Sequence, residues 1–241
     1  MKDTDGTYLE KPDDKWEFNS GVANCFEDML QRSIPQYDIM RNSVIYLSAH
    51  FLDKTNFCLL DLGCSDGLGT QDFITKYGAH GKYTLVDCSE PMLDKARERY
   101  SGWVQTRVVD IMNMDLRKEF PKGVYDIILV ELTLMFTPIN YRQRIIQNIY
   151  DHLKSGGVVF IVEKVLGESA LINDLLVEEY HDLKRNNGYS DEQIERKKLA
   201  LEGVQVPVTN SWNMEMLKQA GFRQIDVFWR WANFVGYIAI K

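Results

Sequence analysis

The sequence predicts an α/β protein with a doubly wound, mostly parallel seven-stranded sheet, a helical insertion and a C-terminal antiparallel hairpin. Short apolar runs alternate with segments of helical period through the middle of the chain, and such alternation builds parallel sheets with helices on both faces. A glycine-rich turn at 63–69 follows the first of these runs, as it does where a ligand lies above a strand end. Two apolar runs near the C-terminus, 222–229 and 233–240, are close enough in sequence to pair antiparallel.

The N-terminal region precedes this alternation. Residues 1–18 are charged and predict a mobile arm, although Trp16 and Phe18 are apolar enough to dock it. The spacing of apolar residues predicts a helix over 23–33 and a second helix over 38–51.

The central alternation predicts five strands separated by helices. We expect the strands at 58–62, 83–87, 104–109, 125–130 and 158–163, and the helices at 69–77, 91–100 and from 138 to about 153. Ser89 and Pro91 are typical of the cap and the first turn of a helix.

The segment 168–203 interrupts the alternation. Its pattern is helical and highly charged, and an insertion over the strand ends would form a lid on a substrate cavity. A helix at 213–220 then leads into the closing hairpin. Because no linker divides the chain, we expect a single domain over 1–241.

Composition limits the possible functions. The net charge of −7 disfavours direct binding to nucleic acid. The longest apolar runs, such as 158–162, are too short to span a bilayer, and the N-terminus has no apolar signal region. The four cysteines show no C-x-x-C pairing and no nearby histidines, so we expect no disulfide and no metal site, and a cytoplasmic location.

The glycine-rich turn predicts a nucleoside-binding loop. Gly63 lets the chain turn sharply, and Gly67 and Gly69 keep the backbone bare for a ligand. Asp87 ends the next apolar run, where a carboxylate can accept hydrogen bonds from ribose hydroxyls. The spacing G-x-x-x-G-x-G differs from the dinucleotide fingerprint G-x-G-x-x-G. This pattern resembles that of class I S-adenosylmethionine (SAM) methyltransferases, which implies their Rossmann-like fold and SAM as cofactor.

From Trp16 onward the chain resembles one family more closely, the carboxy-S-adenosylmethionine (carboxy-SAM) synthases, which serve wobble-uridine modification of tRNA. The matching segments are FEDMLQRSIPQY (26–37), DLGCS (61–65), TLMF (133–136), EK (163–164), KRNNGYS (184–190) and ALE (200–202). They include the insertion, which general methyltransferases do not share. The resemblance implies synthesis of carboxy-SAM from SAM and prephenate by a cytoplasmic homodimer.

The resemblance also implies a set of residues around the cofactor, which is SAM or carboxy-SAM. These residues are Tyr37, Gly63, Cys64, Ser65, Asp87, Cys88, Asp110 and Ile111. Asp110 is expected near the adenine amino group. Tyr189 and Lys198 are expected to bind the substrate.

Three positions depart from the family. Cys88 and Glu131 stand where the family usually has Asn, and Lys198 stands where its Arg grips the extra carboxylate of carboxy-SAM. Lys pairs with a carboxylate as a hydrated point charge rather than as a planar fork. The negative charge of Glu131 would lie near a carboxylated cofactor or dianionic prephenate, which is costly in a partly dry site. These departures favour ordinary SAM.

Two residues are candidates for catalysis. Glu131 follows the fourth strand, at the end that faces the reacting group. It is either a base or anchor for an amine substrate, or a ligand of the cofactor's own ammonium or of a nearby amide. His181 lies on the inserted helix, where it either enters the active site or is a packed structural residue.

The leading interpretation is a SAM-dependent methyltransferase that acts on a small-molecule acceptor. One alternative is carboxy-SAM synthase itself, with Lys198 in place of the arginine. A second alternative is a SAM-binding protein without catalytic activity. The expected partners are the small-molecule substrate and a second copy of the chain.

Overall fold

The computed structural model describes residues 15–241. Residues 1–14, most of the arm expected at 1–18, lie outside the described residues. Trp16 has only 4% of its surface exposed, and its backbone N–H donates a hydrogen bond of 2.9 Å to the carbonyl oxygen of Ala200. The rings of Phe18 and Phe136 are in edge contact, with centroids 5.1 Å apart. The described end of the arm is therefore docked on the protein.

The described residues form an α/β fold with one main sheet. The strands are β1 (Phe57–Leu62), β2 (Gly81–Asp87), β3 (Val109–Asn113), β4 (Tyr125–Glu131), β5 (Leu153–Leu166), β6 (Val208–Thr209), β7 (Gln224–Trp231) and β8 (Phe234–Ile240). The helices are α1 (Ser20–Ser33), α2 (Tyr37–Ser48), α3 (Leu68–Tyr77), α4 (Glu90–Arg99), α5 (Ser101–Gln105), α6 (Ile139–His152), α7 (Ala170–Asn186), α8 (Asp191–Leu201) and α9 (Asn210–Ala220).

The sheet order is β3-β2-β1-β4-β5-β8-β7, and the short β6 pairs with β5. The first five strands in this order are parallel, whereas β8 runs antiparallel to both β5 and β7. The predicted fold class, with its closing hairpin, is confirmed.

The central strands form because their apolar runs are continuous. Leu59 and Leu60 of β1, and Ile127 and Ile128 of β4, are fully buried, as expected for strands covered by helices on both faces. The Ser89 side chain accepts a hydrogen bond from the Met92 N–H and caps α4. Local sequence therefore determines both the strands and this helix start.

The third strand differs from its prediction. Residues 101–105 are helical, and β3 begins only at Val109, after a turn in which Arg107 has φ of +57°. The apolar pair Val108-Val109 enters the sheet, while Val104 packs from the helix. Consequently Asp110 pairs with Thr84 inside the strand, and the strand ends at Asn113, opposite Asp87.

Two cores cover the two faces of the sheet. One contains buried residues of α1 and α2, and the other contains buried residues of α6 and α9. Tyr180 of α7 and Ala200 of α8 belong to the core on the α1 side. The helices of the insertion therefore pack beside α1 and the described end of the arm.

Within residues 15–241, no helix is long and apolar enough to cross a membrane. No group of three or more His, Cys, Asp or Glu side chains in that range is arranged to hold a metal ion. The four cysteines, which all lie in it, are free thiols.

Candidate active site

A cavity of about 410 Å³ lies at the carboxyl ends of the central strands. Its walls come from the glycine-rich loop after β1, the segment after β4, helices α1, α7 and α8, and the docked segment at 16–18. Parallel strands of doubly wound sheets bind ligands at this edge. The cavity contains seven of the twelve predicted site residues: Tyr37, Gly63, Cys64, Ser65, Glu131, His181 and Lys198.

The glycine-rich loop presents bare backbone to the cavity. Gly63 has φ of +75°, and a Cβ on it would lie 2.3 Å from Thr133 Oγ1. The Thr133 hydroxyl donates a hydrogen bond of 3.0 Å to the carbonyl oxygen of Leu62. Because Thr133 packs directly against Gly63, any side chain there would push the loop out of place.

Asp87 lies beside this loop and does not line the cavity. Its Oδ2 accepts a hydrogen bond of 2.9 Å from the Ser65 N–H, and its Oδ1 accepts one of 2.8 Å from the Ser89 N–H. Burial raises the pKa of Asp87, and these backbone donors oppose that rise. Each oxygen keeps a further lone pair, so the carboxylate can accept hydrogen bonds from a diol. Cys88, the next residue, is exposed.

The structure does not bring Asp110 and Ile111 to the end of their strand. Asp110 is exposed and pairs with Thr84, three positions before the residue opposite Asp87. Ile111 packs against the core. The family resemblance implied both positions, and neither lies opposite Asp87 at the end of the strand.

Asp115 occupies the place beyond the end of β3. The preceding residue, Met114, donates its N–H to the carbonyl oxygen of Asp87 at 2.9 Å. Hydrogen bonds from Arg117, at 2.8 Å, are the main cause that lowers the pKa of Asp115 to about 2. Asp115 is therefore the acidic residue just past the end of β3, one position beyond the residue that bonds Asp87.

An acidic cluster, made of Asp61, Asp72 and Glu131 around Arg41, adjoins the glycine-rich loop. Arg41 Nη1 donates a hydrogen bond of 2.5 Å to Glu131 Oε1, and Nη2 lies 3.6 Å from Asp72. Nη2 also donates to the carbonyl oxygen of Gly69. Arg41 is 4% exposed. Glu131 is therefore an ion-paired carboxylate, and the sequence analysis missed its partner.

Asp61 is a buried carboxylate of this cluster whose pKa lies well above its ordinary value. Burial, and next the charge of Glu131, raise its pKa to about 7, although Thr70 Oγ1 donates it a hydrogen bond of 2.7 Å. Burial and Glu131 also raise the pKa of Tyr37, so its phenol stays neutral. This side of the cavity thus combines excess negative charge with limited access to water, which suits a cationic ligand.

A lysine cluster, made of Lys164, Lys184 and Lys197, lines another part of the cavity. The Nζ atoms of Lys164 and Lys184 lie 4.6 and 4.7 Å from the centroid of the Tyr180 ring. Lys197 Nζ lies 5.2 Å from the Trp16 ring and 3.4 Å from Ser33 Oγ. Lys184 and Lys197 are 5% and 7% exposed. Three ammonium groups gathered in one part of the cavity favour negative charge there, so this part suits an anion.

Lys198 and Tyr189 lie differently from what the resemblance implied. The Lys198 side chain is 60% exposed and pairs with Glu195 at 3.3 Å, so it reaches only the rim. Its neighbour Lys197 points inward. Tyr189 is buried behind the wall, where its hydroxyl hydrogen-bonds Ser33 Oγ at 2.9 Å.

His181 reaches the cavity beside the lysine cluster. Burial, and then the positive charges of Lys184 and Lys164, lower its pKa. Its imidazole is therefore neutral near pH 7, with one nitrogen able to accept a proton.

Comparisons with known proteins identify the family of the chain. Residues 59–157 match a family described as a methyltransferase domain. The chain is 37% identical to the carboxy-S-adenosyl-L-methionine synthase of Methylococcus capsulatus, over 95% of this chain and 94% of that protein. It is 36% identical to the protein of the same name from Wolinella succinogenes, over 98% of both chains.

Solved structures with the same fold are methyltransferases. Phosphoethanolamine N-methyltransferase 2 of Haemonchus contortus, in complex with SAM, superposes with a TM-score of 0.65 at 15% identity, over 92% of this chain and 57% of that one. The plantazolicin methyltransferase BpumL gives a TM-score of 0.64 at 14% identity, over 90% of both chains. These identities show the fold alone. The full-length relatives establish that the chain belongs to the carboxy-S-adenosyl-L-methionine synthase family and is a SAM-dependent transferase.

Proposed function

We propose that this protein is a carboxy-SAM synthase, which uses SAM and an anionic carboxyl donor such as prephenate. The observation that carries the proposal is the separation of charge within one cavity. The pKa of Lys164 is lowered by burial and by Lys197, whereas the pKa of Asp61 is raised by burial and by Glu131. Each shift is caused in part by a neighbouring group of the same charge, so acidic groups gather at one part of the cavity and basic groups at another, which suits a cationic and an anionic ligand together.

The pairing of Glu131 removes the main argument for a neutral or cationic acceptor. An unpaired Glu131 would repel prephenate, but Arg41 donates to it at 2.5 Å and offsets its charge. An ordinary methyl acceptor would have to lie beside three lysines, which suits an anion better than an amine. The methyltransferase interpretation remains the rival that the experiment below must exclude.

The residues present fit SAM. A Cβ on Gly63 would collide with Thr133, so this position must be glycine. Its backbone therefore carries no side chain that would keep a ligand away. Asp87 would accept hydrogen bonds from the ribose, Asp115 would lie nearest the adenine, and the acidic cluster would face the cationic methionine part. SAM supplies a sulfonium centre whose methyl group is activated toward reaction.

The chain's own residues would hold the second substrate and handle its proton. Lys184 and Lys197 would bind carboxylates as charge-assisted hydrogen-bond donors. Neutral His181 would take or return a proton beside them. The wall formed by Trp16, Phe18 and Phe136 excludes water, which strengthens these ion pairs.

We also infer a cytoplasmic homodimer, as the family resemblance implies. In support of a dimer, Leu171, Ile172 and Leu175 on α7 are 72%, 50% and 57% exposed. Adjacent exposed apolar side chains of this kind are typical of an interface. Light scattering of the wild type and of Leu171→Asp/Leu175→Asp tests this, because a dimer through this face should dissociate in the variant.

The function is tested by incubating the protein with SAM and prephenate and identifying the product by mass. We expect carboxy-SAM from the wild type and from Lys154→Met, which alters a surface lysine paired with Asp126. Lys197→Met should form it at least tenfold more slowly. If no carboxy-SAM forms while a neutral or cationic metabolite is methylated, the rival is correct.

A further inference from the structure

Lys164 differs from the other lysines of the cavity in having no polar partner. It follows the buried part of β5, is itself half-buried, and lines the cavity. Among residues 15–241 its Nζ makes no hydrogen bond or ion pair, and the contact it does make is with the face of the Tyr180 ring at 4.6 Å. An amine without a carboxylate partner in an enclosed cavity is free to meet a ligand.

The surroundings of Lys164 favour the neutral form of this amine. Burial, and then the charge of Lys197, lower its pKa to about 8. Desolvation together with a neighbouring cation is the environment that activates lysine as a nucleophile toward carbonyl groups. A sizeable fraction of Lys164 is therefore unprotonated in mildly alkaline solution.

The groups around Lys164 complete a site for one class of compound. The Lys184 amine also lies over the Tyr180 ring. The Nζ atoms of Lys184 and Lys197 lie 5.8 and 5.5 Å from the centroid of the Tyr189 ring. These two ammonium groups suit a carboxylate. His181 lies beside them with a lowered pKa. On the α2 and β4 side, the wall carboxylate Glu131 is paired with Arg41.

We propose that Lys164 forms an imine with the carbonyl group of a 2-oxo acid whose carboxylate is bound by Lys184 and Lys197. The neutral amine attacks the carbonyl carbon, and a proton passes from nitrogen through His181 to the oxygen. The carbinolamine then loses its hydroxyl as water, so a C=N bond replaces the C=O bond. One water is released and no electrons are gained or lost. The imine holds the acid by its 2-oxo arm.

This inference rests on the proposed function only for the choice of acid, because prephenate carries a 2-oxo acid side arm. Whatever the acid, Lys164 is expected to react with its carbonyl group. The two can therefore fail separately: an adduct without carboxy-SAM formation removes the proposed function and leaves the imine site in place.

The experiment traps the imine by reduction. The full-length protein is incubated with phenylpyruvate or pyruvate and sodium cyanoborohydride, and the modified peptide is identified by mass spectrometry. We expect saturable labelling of Lys164, at least tenfold above that of Lys154, which lies at the opposite end of the same strand and pairs with Asp126. Labelling should rise between pH 7 and 9, following the neutral amine.

Two variants separate the chemistry from folding. Lys164→Arg keeps the charge but cannot form an imine, and it should lose the adduct while retaining SAM affinity. Lys154→Arg should label like the wild type. Equal labelling of Lys164 and Lys154, or no label on Lys164 when quenching of Trp16 fluorescence shows that the acid is bound, would overturn the proposal.

Discussion

The acidic cluster and the lysine cluster share one cavity but are stabilised in different ways. In the acidic cluster, Glu131 is neutralised by Arg41, and Asp61 is hydrogen-bonded by Thr70. In the lysine cluster, the Lys164 amine lies on the face of the Tyr180 ring and makes no ion pair among residues 15–241. An aromatic face stabilises a cation less strongly than a carboxylate partner does, but it leaves the hydrogen-bond donors of the cation available. The carboxylates Glu131 and Asp61 are thus satisfied internally, whereas Lys164 is disposed to meet a ligand.

The largest expected effect comes from breaking the internal pairing of the acidic cluster. Arg41→Met leaves Glu131 buried without its cation, which should lower the free energy of unfolding by about 3–5 kcal/mol. Urea denaturation measures this loss. The double variant Arg41→Met/Glu131→Gln should recover most of it, because no unpaired charge remains. A single variant as stable as wild type would show that Glu131 is not held by Arg41.

The next effect concerns the nucleoside end of the site. Asp87→Ala should weaken SAM binding by about 1.5–3 kcal/mol, roughly tenfold to a hundredfold, through the loss of charge-assisted hydrogen bonds to ribose. Asp115→Ala should weaken it less, since its carboxylate already pairs with Arg117. Calorimetry measures both. Asp110→Ala is the matched control and should bind SAM normally; a loss there equal to that of Asp87 would restore the position implied by the resemblance.

A smaller effect should separate the two adjacent lysines of α8. Lys197→Met should raise the KM for the anionic substrate by about tenfold, because a charged hydrogen bond is worth roughly 1.5 kcal/mol. Lys198→Met should change it less than the Lys197 variant does, because its amine pairs with Glu195 at the surface. Steady-state kinetics on both variants measures the ratio. The reverse order would assign the carboxylate contact to Lys198, as in the family.

The smallest effect is the pH dependence of the acidic cluster. Between pH 5.5 and 7.5 Asp61 ionises, so affinity for cationic SAM should increase by about 1 kcal/mol, or roughly fivefold. The free energy of unfolding, by contrast, should decrease as the pH rises. The folded-state pKa of about 7 lies above the ordinary 3.8, so the contribution of Asp61 to stability is complete below pH 4 and is lost as the pH rises through 7. Asp61→Asn should flatten both profiles; unchanged profiles in that variant would assign them to another group.

Prediction from the sequence succeeded where the signal is local. The apolar runs at 58–62 and 125–130 became the buried strands β1 and β4, and the glycine turn took the positive φ at Gly63 that its sequence required. It failed at β3, where Val104 and Val109 are both apolar but only the second lies in the strand. Asp110, which the resemblance implied near the adenine, consequently lies inside the strand, and Asp115 lies just past its end.

The sequence by itself determined the fold class, the glycine-rich turn after β1, and the family. The physical reason is that side-chain periodicity, turn glycines and short motifs act over a few residues. Tertiary structure alone decided which charged side chains of the cavity pair with each other and which gather with others of the same sign. Arg41 meets Glu131 across ninety positions of the chain, and the lysine cluster combines residues of β5, α7 and α8. Neighbours in space and burial decide whether a charge is neutralised and in which direction the pKa of its group is shifted. Both the neighbours and the burial exist only once the chain is folded.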